Sequence, residues 1–371
     1  MDSAPAWSSD TDDTLLCVQV RPETHDVKTF VFNTPSPRRF AYLPGQFLTL
    51  SVPIGPGGET VQRSYTISSS PTRPDRLSIT VKRVPGGPMS NWLHDHLQAG
   101  MQVDALGPAG EFSCFAKGGP LQPISLGGAD RPRYLFVSGG SGITPLMSMT
   151  RALSDLSTDA DILFVHAARS PDDLIFADEL RSLARQHPRL QLAFVCEQHG
   201  SQPHWPGYRG RLDAALLMRI APDLRERDVY SCGPGPFMAA IRRLLAELGH
   251  PEARYREESF NFEELASASL ASAEGVCSAP PVAASGHRIT LNRLGDTFTC
   301  QPGQTILAAA IQAGVRLPAS CSNGLCGTCK THKVSGEVTM NHKGGIRQRD
   351  VDQGWILPCC SHPQGDVVLD R

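Results

Sequence analysis

Three cysteines stand close together near the carboxyl-terminal end of the sequence, in the stretch SCSNGLCGTCK. They are Cys321, Cys326 and Cys329, and their spacing, Cys-x4-Cys-x2-Cys, is that of the first three ligands of a plant-type 2Fe-2S site. Such a site needs one more cysteine downstream, and WILPCCSHP offers Cys359 and Cys360. Cys359 follows Cys329 with 29 residues between them. Bringing these thiols together around one metal centre restricts how the chain can fold near this loop.

The composition of the loop suits an iron–sulfur cluster. Gly324 and Gly327 let the backbone curl around a cluster and direct N–H groups at its sulfur atoms. A zinc site is the main alternative, although structural zinc usually uses two Cys-x2-Cys pairs, and the adjacent Cys359 and Cys360 lack the intervening turn. Cysteines without any metal are the other alternative. The spacing favours the 2Fe-2S cluster.

Charge and cysteine content exclude some classes of partner and location. Lys and Arg total 35 and Asp and Glu total 37, a net charge of −2, so no overall field attracts nucleic acid or anionic lipid. The acidic start MDSAPAWSSDTDDT lacks the features of a signal peptide, and no apolar run is long enough to span a membrane. Eleven cysteines suit a reducing compartment. We therefore expect a cytoplasmic protein without membrane or nucleic-acid partners.

The character of the sequence changes twice along its 371 residues, which predicts a multidomain protein. Short alternating runs between Gly and Pro, such as VKTFVF and RLSITVKRV, predict an antiparallel β-barrel over residues 13–118. Strands alternating with helices, such as RYLFVSGG and TPLMSMTRALSDL, predict a doubly wound α/β domain over residues 131–260. An Ala- and Ser-rich flexible linker is expected over residues 263–285, and a compact α+β domain around the cysteine loop over residues 286–371.

Within the predicted barrel, Arg63 and Tyr65 stand two apart in QRSYTISSS. On a strand, both side chains therefore point to one face. The Arg can bind a phosphate with its guanidinium fork, and the Tyr can lie flat against an aromatic ring. The same alternation is common on a solvated strand face, so the pattern alone leaves both interpretations open.

Two Gly-containing turns lead from a strand into a helix. In RYLFVSGGSGITPLMSM, Gly140 and Gly142 permit a tight turn and the close approach of a pyrophosphate to the helix start. The third Gly of a Rossmann fingerprint is missing, and Pro145 stands in the first helical turn, where its lack of an N–H costs nothing. In YSCGPGPFM, Cys232 precedes a similar turn. A turn without a ligand and a cysteine that only packs are the alternatives.

Together, these motifs resemble those of the ferredoxin–NADP reductase superfamily, in the branch with a plant-type ferredoxin domain at the carboxyl-terminal end. RSYT resembles the flavin motif Arg-x-Tyr-Ser/Thr, and KRVPGGPMSNWL resembles the segment that holds the flavin pyrophosphate at a helix N-terminus. CGP resembles the turn beside the nicotinamide, and CSNGLCGTCK with ILPCCS resembles the ferredoxin domain. The resemblance aligns Cys359, and not Cys360, with the fourth cluster ligand.

The resemblance implies a role for each motif. The expected catalytic residues are Tyr65 on the isoalloxazine ring, Cys232 beside the nicotinamide and Glu258 of REESF at the flavin edge. The expected flavin-binding residues are Arg63, Ser64, Tyr65, Thr66, Lys82, Gly86, Gly87, Met89, Ser90 and Phe260. The expected nicotinamide-dinucleotide residues are Gly140, Ser141, Gly142, Thr144, Pro145, Arg169, Cys232, Gly233 and Pro234. The expected cluster ligands are Cys321, Cys326, Cys329 and Cys359. For Glu258 and Phe260, a charged strand end and a core aromatic residue are the alternatives.

The implied cofactors are FAD rather than FMN, a 2Fe-2S cluster, and NADH with NADPH as the alternative. Asp172 and Asp173 in HAARSPDDLIFADEL would repel a 2′-phosphate, which favours NADH. Arg169, Arg209 or Arg211 could attract one.

By the same resemblance, the chain passes electrons from NADH through FAD to the cluster and on to a terminal Rieske oxygenase. HAARSPDD, REESF and CGTCK are similar to segments of reductases that serve Rieske oxygenases demethylating glycine betaine or a related quaternary amine. A reductase for a hybrid-cluster protein or another oxygenase, and a flavin and iron–sulfur redox sensor, are the alternatives. The chain is expected to act as a monomer.

The predicted ferredoxin domain is basic. Residues 286–371 carry nine Lys and Arg against six Asp and Glu. We hypothesise that Lys330 and Lys343 help to dock an acidic patch of the oxygenase. An ordinary solvated face is the alternative.

Overall fold

A computed structural model gives the fold of most of the chain. The described residues are 4–8, 13–54, 60–201, 204–260, 286–319, 324, 329–342, 346 and 348–371. The predicted linker, Cys321, Cys326 and Lys343 lie outside the described residues. Within the described ranges, no helix is long and apolar enough to cross a membrane.

The amino-terminal region forms an antiparallel β-sheet, as predicted. Its strands are β1 (Thr14–Thr24), β2 (Val27–Asn33), β3 (Phe47–Pro53), β4 (Thr60–Thr66), β5 (Leu77–Lys82) and β6 (Gln102–Ala109). They lie in the order β4-β3-β6-β1-β2-β5. An antiparallel bridge between Ile67, just after β4, and Ile79 in β5 joins the two edges, so the sheet closes into a barrel. The helix α1 (Pro88–His96) lies between β5 and β6.

The second region is a doubly wound α/β fold. Its strands are β7 (Arg133–Gly139), β8 (Asp161–Ala168), β9 (Leu190–Cys196), β10 (Tyr208–Arg209), β11 (Asp228–Pro234) and β12 (Tyr255–Phe260). Its helices are α2 (Ile143–Asp155), α3 (Ala177–Gln186), α4 (Ala214–Ile220) and α5 (Gly235–Glu247). The strands are parallel and lie in the order β10-β9-β8-β7-β11-β12.

Side-chain alternation along these strands builds a core on each face of the sheet. In β7, Tyr134 and Phe136 belong to one core, and Leu135 and Val137 belong to the other. The pattern DDLIFADELRSLARQ is helical over a shorter stretch than its apolar spacing predicts. Phe176 has a left-handed backbone with φ +57°, so α3 begins only after it.

The third region is an α+β fold around the cysteine loop. Its strands are β13 (His287–Leu291), β14 (Thr297–Cys300), β15 (Thr331–Ser335), β16 (Val338–Met340), β17 (Trp355–Ile356), β18 (Ser361–Pro363) and β19 (Val367–Leu369). Its helices are α6 (Ile306–Gln312) and α7 (Gln348–Asp352). Five strands lie in the order β14-β13-β19-β15-β17, and β16 pairs with β18. The hydroxyl of Thr305 caps α6 by accepting a hydrogen bond from the amide of Ala308 at 3.2 Å.

The chain divides into two compact units. The first unit consists of Met1–Leu48, Tyr65–Val84 and Ser90–Phe260. The second consists of Thr49–Ser64, Pro85–Met89 and Asn261–Arg371. All three predicted fold types, the flavin-type barrel, the α/β fold and the ferredoxin-type fold, are present.

Candidate functional site

The turn between β7 and α2 favours glycine at two positions, for two different reasons. A Cβ atom on Gly142 would lie 2.3 Å from the carbonyl oxygen of Cys232. Gly140 has φ +53°, a backbone conformation that residues with a Cβ rarely adopt. The backbone therefore turns tightly, and α2 begins against the end of β11.

A buried hydroxyl group lies in the same turn. Ser141 is buried, and its Oγ has no hydrogen-bond partner among the described residues. The hydroxyl of Thr144 donates to the carbonyl oxygen of Ser141 at 3.1 Å, and Pro145 lies in the first turn of α2. A buried hydroxyl without a partner at a helix start suits a phosphate, which can accept from it and from the first amides of the helix. These residues therefore fit the phosphates of a dinucleotide.

The parallel sheet places Cys232 beside Glu258. Glu258 of β12 is the partner of Cys232 on one side, and Ser138 of β7 is its partner on the other. Burial raises the pKa of the Cys232 thiol well above its usual value, and the charge of Glu258 raises it further. Cys232 is therefore held as a neutral thiol, which suits a side chain that packs beside a reacting group and does not attack it.

The end of β11 leads directly into α5. A Cβ on Gly233 would lie 2.7 Å from the ring of Phe237, and Pro234 is the residue that precedes α5. Pro234 is also the partner of Phe260 in the sheet. The backbone of Phe260 thus lies at the same end of the sheet as Cys232 and Glu258.

The end of β8 carries carboxylates that are already engaged. Asp172 accepts hydrogen bonds from the amide and the hydroxyl of Ser201, each at 2.6 Å, and these bonds lower its pKa. Arg169 lies 3.4 Å from Asp173 and 3.8 Å from Asp26. The other two candidate cations also have partners, Arg209 at His199 and Arg211 at Glu197. Each cation that could attract a 2′-phosphate therefore has a competing partner.

The flavin strand β4 divides its side chains between two faces. Arg63 and Tyr65 share one face by strand alternation, and both are half-buried. Ser64 points the other way: its hydroxyl bonds to the hydroxyl of Thr49 at 2.7 Å and donates to the carbonyl of Ala319 at 3.3 Å. A ring that stacks on Tyr65 would therefore lie on the face opposite the Ser64 hydroxyl, and Thr66 is buried at the strand end.

The segment between β5 and α1 leaves space at its glycines. Gly86 has φ +71°, and a Cβ there would meet no atom within 4 Å. Gly87 and the start of α1 follow, and the open position at Gly86 next to a helix N-terminus suits a pyrophosphate. The hydroxyl of Ser90 accepts from the amide of Val84 at 3.1 Å, and Met89 is buried. The predicted phosphate ligand Lys82 makes a 2.6 Å ion pair with Asp26.

Two cysteines of the third region, Cys329 and Cys359, converge without forming a disulfide. The sulfur atoms of Cys329 and Cys359 are 3.2 Å apart, well beyond the S–S bond length of about 2.05 Å. The amide of Gly324 donates to the sulfur of Cys359 at 3.2 Å. Cys360 instead donates to the carbonyl of Leu357 at 3.6 Å. Two converging sulfurs with an amide donor fit a cluster whose ligands include Cys329 and Cys359.

Lys330 does not have the freedom that a docking residue needs. Its ammonium group lies 3.1 Å from a carboxylate oxygen of Asp350 and 4.8 Å from the centroid of the Trp355 ring, and its side chain is only 21% exposed. Asp350 is distant in sequence and competes with any acidic partner for Lys330, and the docking hypothesis stays a prediction.

Arg151 is a structurally prominent residue that sequence reasoning missed. It lies in α2, where every residue from Ile143 to Ser154 is buried. A charged residue within a fully buried helix could have signalled an internal ion pair, since isolated charges are rarely buried. Arg151 pairs with Glu179 of α3. Glu179 gives no comparable signal in the sequence, because α3 is amphipathic and acidic residues are common on such helices.

Three family models match the chain. The oxidoreductase FAD-binding domain matches residues 17–114, the oxidoreductase NAD-binding domain matches residues 136–243, and the 2Fe-2S iron-sulfur cluster binding domain matches residues 289–364. The three matches contain β4, the Gly140–Gly142 turn and the converging cysteines, respectively.

The chain is similar to other proteins along nearly its whole length. It is 44% identical over 361 residues to the glycine betaine monooxygenase reductase subunit of Pseudomonas aeruginosa (strain UCBPP-PA14), covering 96% of this chain and 94% of that one. It is 42% identical over 357 residues to the stachydrine N-demethylase reductase subunit of Rhizobium meliloti (strain 1021), covering 96% of each. The solved structure of phthalate dioxygenase reductase shares the fold, with a TM-score of 0.57 at 24% identity over 98% of this chain and 100% of that one.

Proposed function

The chain belongs to the family of oxygenase reductase subunits with FAD-binding, NAD-binding and 2Fe-2S domains, and we propose that its electron acceptor is a Rieske-type oxygenase that demethylates glycine betaine or a related quaternary amine. As a family member, it is an NAD(P)H-dependent flavin and iron–sulfur oxidoreductase. When bound, FAD supplies the chemistry that converts the electron pair of a hydride into the single electrons that a 2Fe-2S cluster accepts.

The similarity of this chain to the glycine betaine monooxygenase reductase subunit carries the substrate proposal. That similarity is 44% identity over 96% of the chain. The 42% identity to a stachydrine N-demethylase reductase subunit supports the wider class of methylated quaternary amines. The substrate itself would bind to the oxygenase, so the proposal concerns which partner this chain reduces.

The proposed contribution of the chain is binding and positioning. The Gly140–Gly142 turn and the Ser141 hydroxyl would hold the dinucleotide phosphates, and Cys232 with Glu258 would lie beside the nicotinamide. On β4, Arg63 would bind a flavin phosphate and Tyr65 would pack on the ring. NADH is the proposed donor, supported by the carboxylates around Arg169.

The cluster ligands and domain limits are proposals of the same kind. Cys321, Cys326, Cys329 and Cys359 would hold the cluster, supported by the convergence of the last two. We propose domain limits of 13–118, 131–260 and 286–371, joined by the linker 263–285. A cytoplasmic location is supported by the cysteines of the described ranges, which form no disulfide with one another, as a reducing compartment favours.

Reconstitution with a purified oxygenase tests the proposal. We expect the chain to reduce a Rieske oxygenase with NADH and to support formaldehyde release from glycine betaine or stachydrine, with little activity when NADPH replaces NADH. Rapid reduction of ferricyanide without turnover by any quaternary-amine oxygenase would show a different acceptor. Slow reduction of every acceptor would favour a redox sensor.

A further inference from the structure

Arg151 is a buried cation in α2 that contacts two separate segments, the start of α3 and the loop after β4. It is only 7% exposed. Its guanidinium group donates to both carboxylate oxygens of Glu179 in α3, from Nε at 2.7 Å and from Nη2 at 2.6 Å. It lies over the ring of Phe176, 4.6 Å from the centroid. The remaining nitrogen, Nη1, donates to the backbone carbonyl of Ser68.

The segments that Arg151 joins lead to two candidate cofactor sites. The helix α2 begins at the Gly140–Gly142 turn, and Ser68 lies two residues after the end of the flavin strand β4. One helical turn before Arg151, the hydroxyl of Ser148 donates to the carbonyl of Ser69 at 2.6 Å. Two side chains on one face of α2 therefore hold the loop that continues the flavin strand.

That loop is also fixed to the barrel. The hydroxyl of Ser69 bonds to the hydroxyl of Tyr42 at 2.8 Å and accepts from the amide of Ser78 at 2.9 Å. The amide of Ser68 donates to the carbonyl of Ser78 at 2.8 Å. Because the loop is anchored on both sides, a shift of α2 would change the distance between the dinucleotide turn and β4.

We propose that Arg151 is a positioning residue for hydride transfer: it holds the start of α2 in register with the end of the flavin strand. The Arg151 side chain is buried and that of Glu179 is 40% exposed. Such an ion pair adds little net stability, but a bidentate pair has a narrowly defined geometry. A displacement of about 1 Å at reacting atoms can lower a rate by about 100-fold. The inference rests on the proposed function and adds a residue outside the cofactor-binding motifs.

An exposed ion pair between the same helix and the same loop provides a matched control. Arg73 donates to Asp155 of α2 from Nε at 3.1 Å and from Nη2 at 2.6 Å. Its side chain is 70% exposed, so water replaces the pair easily. Arg73→Met therefore removes a cross-link of the same chemistry without disturbing buried geometry.

The experiment compares Arg151→Met and Arg73→Met with the wild-type holoprotein. In Arg151→Met we expect the limiting rate of flavin reduction by NADH in stopped flow to fall by about 10- to 100-fold, with the NADH dissociation constant changed less than about threefold. Without coenzyme, the amides of residues 67–70, 140–144 and 146 should exchange hydrogen about tenfold faster. Flavin and iron content should stay normal. Arg73→Met should match the wild type within about twofold in every measurement.

Arg151→Lys and Glu179→Gln keep the test decisive. In Arg151→Lys the side chain keeps its positive charge but lacks the planar guanidinium group. The rate of flavin reduction should therefore recover only in part relative to Arg151→Met. If Arg151→Met does not fold, Glu179→Gln should show the same loss of rate and the same faster exchange. An unchanged limiting rate, a loss confined to NADH affinity, or an equal loss in Arg73→Met would overturn the positioning role. Failure of the wild type to accept hydride from NADH would instead overturn the proposed function, and this inference with it.

Discussion

Gly142 and Gly324 both lie against a cysteine-bearing segment, but the two contacts differ in kind. A Cβ on Gly142 would collide with the backbone of Cys232, 2.3 Å from its carbonyl oxygen. A Cβ on Gly324 would lie 2.7 Å from the sulfur of Cys360, while the Gly324 amide donates to the sulfur of Cys359 at 3.2 Å. The first glycine permits two backbones to approach, whereas the second brings an N–H group to a sulfur atom.

The sulfur atoms in the two regions are therefore suited to different tasks. Cys232 is fully buried and lies next to Glu258 in the sheet, where burial and charge both favour the neutral thiol. Cys359 lies near a second sulfur and accepts from an amide, as cluster ligands do. A glycine beside a cysteine is thus not one motif, because the Gly324 amide donates to a cysteine sulfur, whereas Gly142 lies against the backbone carbonyl of Cys232.

The largest expected effect is at the paired cysteines. Cys359→Ser should remove or badly perturb the cluster, because its sulfur is the one that faces Cys329. Cys360→Ser should keep it, because the Cys360 thiol bonds to the Leu357 carbonyl. Iron and sulfide content with the visible absorption spectrum measure both. Loss of the cluster in Cys360→Ser and its retention in Cys359→Ser would reverse the assignment.

Gly142→Ala should have the next largest effect. The new methyl group would meet only backbone atoms, 2.3 Å from the nearest, so α2 or β11 must move. We expect unfolding free energy to fall by about 1–3 kcal/mol and hydride transfer from NADH to slow by about 100-fold. Denaturant unfolding and stopped-flow flavin reduction measure these changes.

Gly100→Ala is the matched control for that substitution. Gly100 also needs a positive φ, +95°, but no atom lies within 4 Å of its Cβ position. It should lose about 1–2 kcal/mol of stability through backbone strain alone and leave hydride transfer unchanged. If Gly100→Ala slowed hydride transfer as much as Gly142→Ala, the close approach of two backbone segments at Gly142 would not be the cause of the slower rate.

Gly324→Ala should have a smaller effect that depends on a neighbouring side chain. Its methyl group would meet the Cys360 sulfur at 2.7 Å and the Cα of His342 at 3.0 Å, with φ at +72°. We expect a loss of about 1–3 kcal/mol in the stability of the third region. Adding Cys360→Ala should restore part of it, with a coupling energy of about 0.5–3 kcal/mol. If the effects of Gly324→Ala and Cys360→Ala on the free energy of unfolding were strictly additive, the contact with the Cys360 side chain would not contribute to the strain in Gly324→Ala.

The smallest expected effect is that of Glu258→Gln on Cys232. Burial is the main cause of the raised thiol pKa, so removing the Glu258 charge should change the alkylation rate by less than about threefold. Since a raised pKa keeps the thiol protonated, alkylation should still be increasing with pH above about pH 9. Mass spectrometry after iodoacetamide treatment measures this, with Cys232→Ser identifying the modified site. If Glu258→Gln strongly accelerated alkylation, the charge of Glu258, and not burial, would be the dominant cause of the raised thiol pKa.

The fold was predictable in outline because its signals are local. Alternating runs such as VKTFVF predict strands, and glycine turns before helices predict the start of α2. The boundary of α3 was not predictable, since the left-handed conformation of Phe176 opposes the helical spacing of its segment. The site was predictable only as a set of motifs, and the roles of its residues stay predictions. The partners of Lys82 and Lys330, Asp26 and Asp350, are distant in sequence and leave no local signal.

By itself, the sequence determined the three fold types and the cofactor classes, because strand periodicity, glycine turns and cysteine spacing are properties of short segments. Only the tertiary structure decided which groups meet. It paired Arg151 with Glu179 and Ser68, placed Glu258 beside Cys232, and turned Cys359 toward Cys329. Such contacts join segments far apart in the chain, and their geometry depends on how whole elements pack.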